Sequence, residues 1–153
     1  VTGLLELLAQ TTLAEWIRLS RWGYAIVNTL HVLGIALLVG AIVPLDLRLM
    51  GWRRGIEPHE LAGLLQPIAI IGLVVAMAMG GLLFLADPVD YAAMPLFQLK
   101  LVCIGLALIN ALVLNLGPGL TGASAAFLAR AGTASLLLWL ATLGAGRFLA
   151  FVQ

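Results

Sequence analysis

Four apolar stretches, each long enough to cross a bilayer, decide what this chain can become. A hydrocarbon core of ~30 Å takes about 20 helical residues to cross, and stretches of that length cover residues 23–49, 60–85, 97–116 and 123–151. No water reaches peptide groups inside hydrocarbon, so each stretch must satisfy its own N–H and C=O groups and is predicted to be an α-helix. The stretches occupy most of the 153 residues, and the chain is 63% hydrophobic and 10% charged, against roughly half and about a quarter in soluble domains. The expected fold is all-α, an integral membrane four-helix bundle forming one domain over residues 22–153, with no soluble domain.

Residues 1–21 are of another kind. Leu4, Leu5, Leu7, Leu8, Leu13, Trp16, Ile17 and Leu19 alternate with Glu6, Glu15, Arg18 and Arg21. Thr11 or Thr12 is available as a cap, and Thr12 and Glu15 have capping-box spacing. The segment is predicted to be a short amphipathic helix in the headgroup layer, anchored by Trp16 and Trp22. The alternative is direct continuation into the first span. The chain starts at Val1, so an initiator or leader is expected to be missing. Leu4 to Leu8 is short, contains Glu6 and lacks a basic flank, unlike a signal peptide, so the spans are expected to direct their own insertion.

Between the spans, Gly51 to Pro58 is predicted to turn, as is Gly117-Pro118-Gly119, and Asp87-Pro88-Val89-Asp90 with Pro95 is predicted to be a loop. Pro67 and the Gly80-Gly81 pair are tolerable inside a membrane helix, where neighbours satisfy freed backbone groups. An even number of spans puts both termini on one side. That side carries Arg18, Arg21 and Arg147, while the other carries Arg48, Arg53, Arg54 and Arg130. The Arg53-Arg54 turn is therefore expected to be cytoplasmic and the termini periplasmic. The net charge is +1 and the basic residues are scattered, which gives no stripe for nucleic acid. The expected partner is the lipid bilayer. The single Cys103 excludes an intrachain disulfide and a Cys-based metal cage.

Ionisable and amide groups inside a span are costly unless paired or facing a cavity, so each is a candidate for function. At about 1.5 Å per residue they fall into two layers. Asn28, His31, Gln98, Lys100 and Arg147 lie toward the terminal side, with Met77 and Met79 at a similar level. Asp46, Arg48, Asn115 and Arg130 lie toward the other. Asp46 and Arg130, at comparable depth, are expected to form an ion pair that sets helix register, the alternative being a proton pathway. Lys100 and Arg147 are expected to snorkel. His31 has three readings: a structural hydrogen bond to Asn110 or a backbone carbonyl, haem ligation, or other metal or proton chemistry. In the haem reading His31 is an axial ligand to haem b, Met77 or Met79 a possible second, and Lys100 and Arg147 lie near the propionates. His59, roughly 25 Å away along the membrane normal, cannot be the partner imidazole.

The stretch His31-Val-Leu-Gly-Ile-Ala-Leu-Leu-Val-Gly with Leu45-Asp46-Leu47-Arg48-Leu49-Met50-Gly51, followed by Phe97-Gln-Leu-Lys100 and Asn110-Ala-Leu, resembles a family of small four-helix bacterial inner-membrane proteins. In layout that family is likened to copper-resistance D and cytochrome b561-like proteins. The resemblance covers residues 20 to 116 and implies a bacterial inner membrane and a four-helix bundle, but no activity. Some members carry a histidine where this chain has Asn115, a departure that counts against a second buried histidine. Gly34 and Gly40 are expected to allow tight packing around the first helix.

Three functions compete. The first is a non-catalytic subunit or assembly factor of a larger, energy-converting membrane complex, meeting other transmembrane subunits through the small residues of the fourth helix, Ala123 to Ser135. The second is a small b-type haem or quinone-linked electron-transfer protein using His31. The third, transport or Cu(I) handling by His31, Met77 and Met79, lacks a Met- or His-rich cluster and an inverted repeat. No Gly-rich phosphate loop, Gly-x-Ser-x-Gly turn or His-Glu-x-x-His helix is present. No catalytic or metal residue is therefore assigned, and enzymatic activity would require a bound cofactor.

Overall fold

The computed structural model describes residues 2–151. Val1, Val152 and Gln153, which the expected segments include, lie outside the described residues. Among the described residues there is no β-strand. The order is α1 (Thr2–Ala9), α2 (Thr12–Leu19), α3 (Arg21–Leu49), α4 (Pro58–Ala86), α5 (Pro88–Ala93), α6 (Pro95–Leu116), α7 (Gly119–Gly122) and α8 (Ala125–Phe148), then a 3-10 turn over Leu149–Phe151. Helices α3, α4, α6 and α8 have 29, 29, 22 and 24 residues and are apolar enough to cross a membrane. At 1.5 Å per residue all four exceed the ~30 Å hydrocarbon core, so the all-α class with four spans and extra N-terminal helix is the expected one.

Local chemistry explains where the elements differ from expectation. The N-terminal segment is two helices, and the Thr11 hydroxyl accepts from Ala14 N at 3.3 Å to start the second. With Thr11 as cap, Glu15 is one position too far for a capping box and serves the first turn. Helix α2 does not run on into α3, because Ser20 interrupts it and its hydroxyl accepts from Gly23 N at 3.0 Å. The expected loop after α4 contains α5. Asp87 accepts from Asp90 N, and Pro88 takes the first helical position, where its missing N–H does no harm. Asp-Pro is a helix start here as well as punctuation.

The chain divides into two units. One holds the residues up to Leu38 with Ile70–Met94. Here α3 and α4 touch backbone to backbone: a Cβ built on Gly34 would lie 2.6 Å from Ala76 N, and one on Gly72 would lie 2.5 Å from Leu38 N and 2.8 Å from Gly34 O. Gly40, expected to pack in the same way, faces open space. Helix α2 buries Ala14 and Ile17 completely while exposing Leu13, Trp16 and Leu19. Its Arg18 reaches the Ala86 carbonyl at 3.5 Å, placing a cation at the C-terminal end of α4.

The other unit holds Val39–Ala69 and the residues from Pro95 onward. In it α6 and α8 run antiparallel, with Asn110 donating to Ala131 O at 3.0 Å and Lys100 lying beside Gly146. Leu49, Leu114, Leu128 and Ala131 form a buried cluster, covered by Leu120, Ala123 and Phe127. Gly132 lets α8 meet α3 closely: a Cβ there would lie 2.8 Å from Asp46 O and 2.9 Å from Leu49 Cβ.

Backbone cannot yield to an added methyl as a flexible side chain can. Gly72→Ala is therefore expected to lower stability by about 1–3 kcal/mol through overpacking. Gly81→Ala, with nothing within 4 Å, is expected to unfold at or above the wild-type midpoint. Thermal unfolding followed by circular dichroism in one detergent checks both.

Candidate functional site

His31 lies on the α3 face that continues through Gly34 and Leu38, opposite Gly72, Ala76 and Gly80 of α4. Its Nδ1 and Ala76 O are 2.8 Å apart. A carbonyl can only accept, so Nδ1 is the donor, and in a neutral ring the lone pair falls on Nε2. Gly80 makes this bond possible. In a helix the side chain at i+4 shields the carbonyl at i; here there is none, and the imidazole occupies that space, with Cε1 2.9 Å from where a Cβ would stand. Of the structural partners open to His31, a backbone carbonyl is therefore realised. Met77, next to Ala76, is half exposed, and Asn28 is exposed on α3.

Asp46 is 4% exposed, and its Oδ2 has no hydrogen-bond partner. Its polar neighbour is Ser135 on α8. No ion pair joins Asp46 to Arg130, which is exposed. The reason is azimuth: Gly132 and Ser135, three apart, share the α8 face that meets Asp46, whereas Arg130 is two residues from Gly132 and about 200° around the helix. Equal depth does not bring two side chains to the same side.

Gln66 and Asn115, two further polar groups of this unit, bond within the chain. Gln66 donates to Asn115 Oδ1 at 3.2 Å, and Asn115 donates to Ala111 O at 2.8 Å. Lys100 Nζ stands 3.6 Å from the Cβ position of Gly146 in the last turns of α8, and Arg147 lies over the Phe151 ring at 5.1 Å. Lys100 and Arg147 thus share the C-terminal end of α8, where the helix dipole favours cations. Among the small residues of α8, Ala131 and Gly132 are buried in the chain's own packing, while Ala125 and Ala126 are exposed. Gly72, Ala76 and Gln66 are not singled out by the sequence, and Ser135 stands there as a small packing residue and not as a partner of Asp46. The spacing Gly72-xxx-Ala76-xxx-Gly80 was the legible signal for the first two.

Four membrane-length helices and polar groups placed along them define a multi-pass α-helical membrane protein. No protein-family model, curated protein or solved structure matches the chain. Among the described residues, no three His, Cys, Asp or Glu side chains are grouped to hold a metal ion.

The side chains predict a contrast in stability. Asp46→Asn nearly keeps the shape and removes a buried carboxyl that lacks a full set of partners; it is expected to stabilise by about 1 kcal/mol or more. Arg130→Ala is expected to change stability by less than about 0.5 kcal/mol, as for an exposed unpaired side chain. Denaturant unfolding in mixed micelles measures both, and a large loss in Arg130→Ala would restore the ion pair.

Proposed function

We propose that the chain is a non-catalytic membrane subunit or assembly factor that packs against a larger, energy-converting membrane complex. The observation that carries this proposal is how the polar side chains within the spans are used. His31, Gln66, Asn110 and Asn115 bond across or along the chain's own helices, and Thr29, Thr133 and Thr142 bond to carbonyls four residues back. Such bonds hold helices in place, and a chain built this way acts through surfaces it offers to others. Asn28 and the small Ala125, Ala126 and Ala141 are exposed and suit close approach by another transmembrane helix. The resemblance to small four-helix inner-membrane proteins supports a bacterial inner membrane, and Arg53 with Arg54 supports a cytoplasmic first loop and periplasmic termini.

Purification in mild detergent from the native membrane, followed by native electrophoresis, tests the proposal. The chain is expected to migrate with a larger assembly, and migration only as an isolated small particle sinks it.

A second reading, a b-type haem or quinone-linked electron carrier, is favoured by one observation: the Nδ1 bond to Ala76 orients His31 as iron-ligating histidines are oriented by backbone carbonyls. A haem would supply one-electron chemistry. His31 is the candidate axial ligand and Met77, on the facing helix α4, the candidate second ligand. This reading requires a Soret band and reduction-sensitive visible bands in protein from the native membrane, both abolished in His31→Ala. A blank spectrum removes it.

A further inference from the structure

The loop between α3 and α4 is built to a degree that a plain connector is not. Helix α3 ends in a Schellman motif: Trp52 N donates to Leu47 O and Gly51 N to Arg48 O, each at 3.0 Å, with Gly51 at φ +102°. A second turn closes by Ile56 N donating to Arg53 O at 3.1 Å. Arg48, in the last turn of α3, then reaches under the loop. Its Nε donates to Ile56 O and its Nη2 to Arg54 O at 3.4 Å. Two loop carbonyls are thereby neutralised from the inner side.

The outer side carries the side chains. Met50, Trp52 and Ile56 are exposed apolar groups, and Arg53 and Arg54 are exposed between them. The Arg53 guanidinium lies over the Trp52 ring, 5.4 Å from its centroid. Among the described residues, no carboxylate forms an ion pair with either guanidinium; Glu57, the acid of this loop, is exposed. Arg53 also has φ +52°, the left-handed region that a non-glycine residue enters at a cost. A strained arginine where glycine would be more comfortable points to work for its side chain.

We infer that this loop is a docking surface for the headgroup of an anionic phospholipid. The loop begins directly after a membrane-length helix and ends directly before another, which holds it at headgroup level. Two unpaired guanidinium groups complement a phosphodiester by charge and by their forked donors. Trp52 is amphipathic, with a ring for the acyl boundary and an indole N–H for ester or phosphate oxygens. The bracing by Arg48 presents these groups without ordering the loop on binding. The assignment is independent of whether the chain serves a larger complex.

The test uses the full chain in neutral detergent, titrated with phosphatidylglycerol or phosphatidylcholine. Bound lipid is counted by native mass spectrometry, and contact at the loop is read as quenching by brominated phosphatidylglycerol of the fluorescence that Trp52→Phe removes. Phosphatidylglycerol is expected to bind in preference, with affinity falling about fivefold in Arg54→Gln and about thirtyfold in the double variant Arg53→Gln/Arg54→Gln. Arg53→Gly is the variant that guards against misfolding: it relieves the left-handed strain, so it is expected to unfold no earlier than wild type while still losing about fivefold in affinity. Arg21→Gln, at the other end of α3, is expected to leave the Trp52 quenching unchanged. Equal binding of the two lipids, undiminished binding in the double variant, or displacement of the lipid by inorganic phosphate at equal concentration would each overturn the assignment.

Discussion

The contact between the backbones of α3 and α4 at Gly34 and Gly72 is the constraint on which the first unit depends. Lipid tails are as apolar as the side chains, so helices in a bilayer gain little from hiding leucine and must gain from close packing and from hydrogen bonds. A glycine on each helix allows the approach, and the approach brings His31 within reach of the Ala76 carbonyl that Gly80 leaves uncovered. Close contact and polar bond are one device, since neither residue type would serve at the larger separation that side chains impose.

The second unit repeats the device with other residues. Gly132 admits the Asp46 carbonyl and Leu49 side chain of α3, and Asn110 ties α6 to the Ala131 carbonyl beside it. Here the polar arrangement leaves Asp46 buried beside Ser135 with one oxygen unpartnered, a cost that the surrounding packing must carry.

The cations follow a rule of their own. Arg48 occupies the last turn of α3, Arg18 reaches the carbonyl that ends α4, and Lys100 and Arg147 gather at the end of α8. All four lie at the negative end of a helix dipole. Arg21, Arg53, Arg54 and Arg130 are exposed and stand apart from this group.

Length and hydropathy by themselves determined the class and the four spans, because a bilayer leaves a backbone no alternative to internal hydrogen bonding. They also assign each polar candidate an expected depth, since rise per residue is constant. They did not determine azimuth. Asp46 and Arg130 looked like a pair in depth and face different sides of α8; Gly34 and Gly40 looked equivalent, yet one meets a backbone and the other open space. Asp87-Pro88 looked like a break and opens a helix. Only the tertiary structure decided these matters, because which side of a helix is inside depends on where its neighbours lie, and a one-residue step turns a side chain by 100° while moving it only 1.5 Å along the axis.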